Sequence, residues 1–377
     1  MNALKAWGEE SGHDVETMVI PYDDQLTKFP LMLKNHDVPD LVSTTRLTRL
    51  YPEEFMDLSG KVDTSRFDKN VMAIVGQDYG NTAEILELPD SFTVTCWYCN
   101  KDALSKAGIK PPTVEHPWSM DELIANAKTL QEKGLVKYGI AVDFSRARYD
   151  NFMYGNGGSI TVKQDGEFKI AVNSPANVAT LEKFVELNQS GVLPKVIWTG
   201  GSNDNPADYF KNGDVGFYLS GSWNYNKFAR DITGFAFGVM PSPKGSAGAS
   251  AILGGDGLAI PKDARNAQLA IEFLNWFYAE DHYKEYLAAD KGLSFIQGVS
   301  YEPDDPKIAA DYAIMQAEVR NVTPGFMVDE ESAWRNYLDN EYRNALKQAV
   351  NGELSPKEAL DRFAEALAKK SKWSLAD

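Results

Sequence analysis

The chain has 377 residues, of which 43% are hydrophobic and 11% aromatic, values typical of globular proteins. Its length predicts two domains, because single hydrophobic cores stop growing beyond about 250–300 residues. The formal net charge is −16, from 54 acidic and 38 basic residues, which argues against a nucleic-acid partner, since that surface needs clustered Lys and Arg. No apolar run reaches the length of a transmembrane helix and no signal peptide is visible, but neither absence fixes the compartment.

Helices alternate with short apolar strands along the first hundred residues, which is typical of an α/β sheet. The predicted elements are helices at 1–11 and 24–34 and strands at 15–20, 39–43, 85–88 and 92–98. Cys96 and Cys99 are the only cysteines. Their β-branched and aromatic flanks predict a strand, on which residues three apart point to opposite faces. This favours structural thiols over a redox or metal role.

Local signals set several later elements. Ser119 and Glu122 form a capping box that predicts a helix start, and Asp165-Gly166 predicts a hairpin over 160–170 with a type I′ turn. Asn212-Gly213 closes a helix before a buried strand at 215–219. Ser355 to Glu358 opens the last predicted helix.

Ser220-Gly221-Ser222 follows the strand at 215–219 and presents Trp223. Open α/β sheets bind ligands at the carboxyl ends of their strands, so Trp223 is a candidate stacking platform for a flat ligand face. A tryptophan packed in the core beneath a loop is the alternative. This stretch alone does not decide between the two.

The common sequence patterns of catalytic and cofactor sites are absent. There is no phosphate loop, dinucleotide fingerprint, G-x-S-x-G elbow or metalloprotease His pair, and the four histidines show no ligand spacing. No cofactor and no metal site is therefore predicted. The many acidic residues leave a glycosidase carboxylate pair open, but nothing in the sequence selects one.

Aromatic and polar residues instead recur in loops after predicted strands and before helices. Ring faces cover the C–H patches of a sugar, and paired polar groups hold its hydroxyls, so this mixture suits a polyhydroxylated ligand. Taken singly, each residue is weak evidence, because Tyr and Trp more often pack in half-buried positions and Asp and Arg are more often solvated. The candidate ligand-binding residues are Tyr22, Asp23, Asp24, Arg46, Tyr149, Trp223, Asn224, Asp256 and Trp334.

Five stretches in order, from about residue 14 to the C-terminus, carry a family resemblance. They are 15–30 with 37–42; Tyr98-Cys-Asn-Lys-Asp-Ala-Leu-Ser-Lys-Ala-Gly-Ile109 with 118–123; 156–158; 210–213 through 221–223; and 241–245 through 254–255. Together they resemble the extracellular solute-binding proteins of sugar-importing ABC transporters, the group that includes maltose-binding protein.

The resemblance implies an α/β fold of the two-lobe, type II periplasmic-binding-protein class, each lobe a sheet flanked by helices, with a ligand cleft between the lobes. It places an N-terminal lobe at 1–93 plus 255–296 and a C-terminal lobe at 94–254 plus 297–377. The expected function is binding of an oligosaccharide, without catalysis, by hinge closure of the lobes. The expected partners are ABC transporter permease subunits, and the expected form is a monomer, lipid-anchored at the extracellular face or periplasmic.

Site roles follow from the same resemblance. Trp223, Tyr149 and Trp334 match positions where aromatic rings stack on sugars. Asp23, Asp24 and Arg46, beside Tyr22, match loops that bind hydroxyls. Asp256 matches the cleft floor.

Two departures from the family limit these expectations. Thr44 or Thr45 stands where maltose-binding protein has an aromatic residue, which argues against maltose. The family begins with a strand and a ligand-contacting loop, whereas this chain starts inside the helix that follows. We therefore expect the first lobe to lack a strand and some site residues. A polyol, a sugar acid or a polyamine is the alternative ligand, and a glycan-active enzyme is a further alternative.

Overall fold

The computed structural model describes residues 2–21, 24–44, 47–76, 84–195, 198 and 205–376. The chain forms two compact units. Unit 1 comprises Met1–Thr93 and Leu253–Asp304, and unit 2 comprises Val94–Ile252 and Asp305–Asp377.

Helices and strands are numbered in chain order over the described residues. The helices are α1 (Asn2–Ser11), α2 (Gln25–Lys34), α3 (Leu47–Leu50), α4 (Lys69–Ile74), α5 (Lys101–Ala107), α6 (Met120–Glu132), α7 (Arg146–Gly155), α8 (Pro175–Gln189), α9 (Pro206–Lys211), α10 (Tyr225–Asp231), α11 (Ala267–Phe277), α12 (Glu280–Asp290), α13 (Pro306–Ala317), α14 (Pro324–Ser332), α15 (Arg335–Asn351) and α16 (Pro356–Ser371). The strands are β1 (Val42–Thr44), β2 (Leu88–Pro89), β3 (Thr93–Asn100), β4 (Tyr138–Val142), β5 (Thr161–Gln164), β6 (Glu167–Ile170), β7 (Val215–Gly221), β8 (Phe237–Met240), β9 (Leu253–Gly254) and β10 (Gly257–Ala259).

Unit 1 is organised around a small antiparallel sheet with the strand order β1–β10–β2. Val42 pairs with Ala259 and Pro89 pairs with Gly257. Against this sheet, Phe29 of α2 stacks on Phe55, with ring centroids 5.3 Å apart and planes at 8°. These buried rings give unit 1 a hydrophobic core of its own.

The predicted strand at 15–20 is wrong, because this segment has no regular structure. Met18 and Val19 are 71% and 70% exposed. A strand needs a neighbour to satisfy its backbone N–H and C=O groups. Within the described part of unit 1, no strand pairs with 15–20, so its β propensity does not yield a strand.

Unit 2 is built on a mixed sheet in which β4, β7, β3 and β8 lie side by side in that order. β4 runs parallel to β7, whereas β3 is antiparallel to both β7 and β8. All seven residues of β7 are buried. Because parallel strands end at the same edge of a sheet, the loops that follow β4 and β7 emerge side by side.

The local signals in the sequence are confirmed. The Ser119 hydroxyl accepts a hydrogen bond from Glu122 N (3.2 Å), and Glu122 Oε2 accepts one from Ser119 N (2.7 Å), which completes the capping box. Asp165 and Gly166 have φ of 53° and 84°, as a type I′ turn between β5 and β6 requires. The box at Ser355 also forms and opens α16.

Candidate functional site

The predicted site residues are distributed over both units. Tyr22, Asp23 and Arg46 lie outside the described residues. Asp24 and Asp256 belong to unit 1, whereas Tyr149, Trp223, Asn224 and Trp334 belong to unit 2.

The two carboxylates of unit 1 lie in different chain segments, Asp24 in Met1–Thr93 and Asp256 in Leu253–Asp304. Asp24 precedes α2 and forms an ion pair with Lys28 (3.2 Å) across one helical turn. Asp256 is exposed between β9 and β10, where its carbonyl accepts a hydrogen bond from Asp90 N (3.1 Å). The Asp24 side chain is half exposed, and Asp256 is exposed as a residue, although partial burial of its carboxyl group raises the pKa of that group.

Trp223 lies in a 3₁₀ turn, Ser222–Asn224, that joins the carboxyl end of β7 to α10. It is 49% exposed, although it directly follows a buried strand. A Cβ at Gly221 would lie only 2.0 Å from the Trp223 ring. The indole thus occupies the space that a side chain at position 221 would need, so a larger residue there would displace the ring.

A buried arginine holds the ring of Trp223. The guanidinium carbon of Arg148 lies over the indole, 4.7 Å from the ring centroid, and Arg148 is only 8% exposed. A cation at this distance is attracted by the negative face of the ring, and more strongly where water is excluded. Arg148 in turn donates from Nε to Asp143 Oδ2 at 3.4 Å.

Asp143 is the centre of a polar network at the ends of β4 and β7. It accepts hydrogen bonds from the hydroxyls of Tyr218 and Ser220, the second at 2.7 Å. Asn224 Nδ2 donates to the same Ser220 hydroxyl at 2.8 Å. The network therefore fixes both sides of the turn that carries Trp223.

The sequence analysis missed Asp143 and Arg148. The available signal is the apolar run Tyr138–Val142, which forms β4 and ends directly before Asp143. A polar residue at the carboxyl end of a parallel strand is a standard candidate for a ligand site. The pairing of β4 with β7, which brings Asp143 to Ser220, is not readable from local sequence.

Tyr149 is fully buried in α7. Its ring packs edge-on against Phe184 with centroids 5.3 Å apart, and burial raises the pKa of its hydroxyl well above the usual range. That hydroxyl has no hydrogen-bond partner among the described residues. A stacking role for Tyr149 would require its ring to become accessible.

Trp334 is also buried, at 1% exposure, between α14 and α15. Its ring contacts Tyr342 and Phe363 edge-on, with centroids 5.3 and 5.9 Å away. Arg146 lies over the ring, 5.3 Å from its centroid. The ring faces of Trp334 are therefore covered by protein groups in this structure.

Arg146 and Arg148 both lie in the first turn of α7. Arg146 lies over Trp334 and Arg148 lies over Trp223, so one helix supplies the cation for both rings. Arg146 donates to Asp150 at 2.8 Å and also bonds Asp339 in α15.

Tyr337, three residues after Trp334, is 43% exposed. It is a second accessible ring in unit 2 that the sequence analysis missed.

The described residues offer stacking and hydrogen-bonding groups at this site. Among them, no cluster of three His, Cys, Asp or Glu side chains could hold a metal ion. Burial raises the pKa of the free thiols of Cys96 and Cys99 to about 12, so both stay protonated at neutral pH. In the same part of the chain, no helix has both the length and the apolar character to cross a membrane.

Residues 1–284 match the family model described as bacterial extracellular solute-binding protein. The chain belongs to this family. A lactose-binding protein from Rhizobium radiobacter is 27% identical over 71% of this chain and 65% of its own length. An sn-glycerol-3-phosphate-binding periplasmic protein from Shigella dysenteriae is 26% identical over 82% of this chain and 72% of its own length. The chain spans about half the length of the first curated relatives it matches.

Solved structures confirm the predicted fold class. The GacH receptor of Streptomyces glaucescens, determined unliganded and with acarbose, matches with a TM-score of 0.80 at 20% identity, covering 99% of this chain and 95% of the receptor. Similarity at this identity shows the fold, which is the type II periplasmic-binding-protein fold.

Proposed function

We propose that this protein binds a sugar, in the form of an oligosaccharide, outside the cell and delivers it to the membrane subunits of an ABC importer. The observation that carries the proposal is Trp223, a half-exposed ring on a rigid support at the carboxyl end of β7. Membership of an extracellular solute-binding family supports it, as does the relative named for lactose binding.

In this proposal Trp223 stacks on a sugar ring and the amide of Asn224 bonds hydroxyl groups. Asp24 and Asp256 of unit 1 supply further hydroxyl contacts, together with Tyr22, Asp23 and Arg46. Tyr149 and Trp334 contribute behind the site by packing against the helices that hold it.

The remaining parts of the proposal concern the protein as a whole. It binds its ligand without chemical change, works as a monomer, and is lipid-anchored at the extracellular face or periplasmic. Closure of the two lobes on the ligand, which the resemblance implies, stays a prediction.

A ligand screen by thermal shift and tryptophan fluorescence tests the central claim. A ligand that binds only the folded protein stabilises it by mass action and so raises Tm. At a ligand concentration of 100 times Kd, the free energy of unfolding increases by about 2.7 kcal/mol. The panel contains neutral oligosaccharides, polyols, polyamines, sugar acids and glycerol 3-phosphate. We expect at least one oligosaccharide to raise Tm and to change the tryptophan emission of the protein.

The same screen separates the alternatives. If only polyamines, polyols or glycerol 3-phosphate raise Tm, the oligosaccharide proposal is wrong and the family fold serves another solute. If incubation with an oligosaccharide releases shorter sugars or new reducing ends, the protein acts on glycans and the non-catalytic part of the proposal is wrong.

A further inference from the structure

Each arginine of α7 and α15 is paired with a carboxylate. The pairs are Arg146 with Asp150 and Asp339, Arg148 with Asp143, Arg335 with Glu330, and Arg343 with Asp339. Asp143 and Glu330 lie just outside these two helices, and α15 also carries Lys347. Because each of the four guanidinium groups has a carboxylate partner, none of these arginines is a free cation that would attract an anionic ligand.

Arg148 is the cation that lies directly on the proposed stacking ring, and Asp143 is its partner. The Asp143 side chain is 22% exposed and that of Arg148 is 10% exposed. Water therefore screens this pair less than it would a surface pair. The hydroxyls of Tyr218 and Ser220 also donate to Asp143, which fixes the carboxylate opposite the guanidinium.

We propose that Asp143 makes this site selective for uncharged sugars over acidic ones, because it cancels the charge of Arg148 beside Trp223. The inference rests on the proposed function, in which a sugar stacks on Trp223. A carboxylate on such a sugar would lose its hydration at the ring without gaining a free cation. A hydroxyl group at the same place carries no such cost.

The first test compares matched probes on the unaltered protein by isothermal titration calorimetry. The neutral probes are maltotetraose and lactose. Each is paired with a counterpart in which the terminal 6-hydroxymethyl group is oxidised to a carboxylate. We expect the better-bound neutral probe to bind about tenfold or more tightly than its acidic counterpart. The two probes differ only in the carboxylate, which loses its hydration without gaining a free cation.

Two substitutions then move the ratio of acidic to neutral affinity in opposite directions. Asp143→Asn leaves Arg148 unpaired, so we expect the ratio to rise about tenfold, and the gain to shrink as salt is added. Arg148→Gln leaves Asp143 without its cation, so the ratio should fall. Because each ratio is taken within one variant, a general loss of affinity does not change it.

Asp121→Asn is the matched control, since it makes the same change of charge in unit 2 on a side chain that is 79% exposed. Its ratio should equal that of the unaltered protein. The inference is overturned if the unaltered protein binds the acidic probe as tightly as the neutral one, or if neither Asp143→Asn nor Arg148→Gln shifts the ratio. If Asp143→Asn does not fold, Arg148→Gln decides.

Failure of the inference and failure of the proposed function give different results. If no sugar binds the unaltered protein, the proposed function is wrong and this inference falls with it. If sugars bind but the carboxylated probe is preferred, the proposed function stands and only the inference is wrong.

Discussion

Trp223 and Trp334 have similar local surroundings but differ in how much of each side chain is exposed. Each precedes a helix, and each has an arginine from the first turn of α7 over its ring, at 4.7 Å for Trp223 and 5.3 Å for Trp334. Trp223 is 49% exposed, whereas Trp334 is 1% exposed. The same residue type under the same kind of cation is half exposed in one place and packed in the core in the other.

The difference comes from the other groups that pack against each ring. Tyr342 of α15 and Phe363 of α16 pack against Trp334 and exclude water. Trp223 packs on the backbone at Gly221 and has no such helical cover among the described residues. Substitutions should therefore separate the two rings, one affecting mainly stability and the other mainly binding.

The largest effect is expected from Trp334→Ala. Removing a fully packed indole leaves a cavity between α15 and α16, and should lower the free energy of unfolding by about 3–5 kcal/mol. Urea denaturation followed by circular dichroism measures this loss. Trp334→Phe, which keeps part of the volume, should cost less. A loss below about 1 kcal/mol for the alanine variant would contradict the packing role.

Arg146→Met should be the next most disruptive change, at about 3 kcal/mol at pH 8, because it leaves the buried Asp150 without its cation. Burial raises the pKa of Asp150 from 3.8 to about 6, although Arg146 opposes the rise. Since the folded state binds this proton more tightly, Asp150 destabilises the fold as pH rises from about 4 through 6.

Loss of Arg146 raises that pKa further, so the deficit of the variant should be small at pH 5 and full at pH 8. Unfolding curves at both values, with Arg146→Lys as the charge-retaining control, measure it. A deficit that does not change with pH would show that packing on Trp334, rather than charge, explains the role of Arg146.

Gly221→Ala tests the support of Trp223. The added Cβ would lie 2.0 Å from the indole, so the ring must move, at a cost of about 1–3 kcal/mol in stability and with weaker sugar binding. In the double variant with Trp223→Ala, the clash is gone and the stability should recover. Equal costs of Gly221→Ala with and without the indole would place the strain elsewhere.

The smallest effect on stability is expected from Trp223→Ala, within about 0.5–1 kcal/mol, because the ring is half exposed. Binding of the sugar found by the screen should weaken by about 1–3 kcal/mol, the value of burying a large aromatic side chain. Titration calorimetry measures this, with Trp223→Phe as the variant that retains a smaller ring. Unchanged affinity would return Trp223 to a packing role.

Part of the fold was predictable because its signals are local. The capping boxes at Ser119 and Ser355 and the turn at Asp165-Gly166 depend on residues within four positions of each other, and all three form. The ordered motifs predicted the family and the fold class, and both are confirmed. The predicted strand at 15–20 is wrong because its β-branched residues indicate β propensity but cannot supply the neighbouring strand.

By itself, the sequence determined several helix caps and turns, the family, and the presence of candidate rings at strand ends and helix starts. Only the tertiary structure decided which rings are accessible. The cover of Trp334 comes from Phe363, and the fixed position of Trp223 comes from Arg148 and Asp143. The contacts of Trp334 with Phe363 and of Trp223 with Arg148 join residues about 30 and 75 positions apart, and burial and charge pairing depend on where the whole chain places such partners.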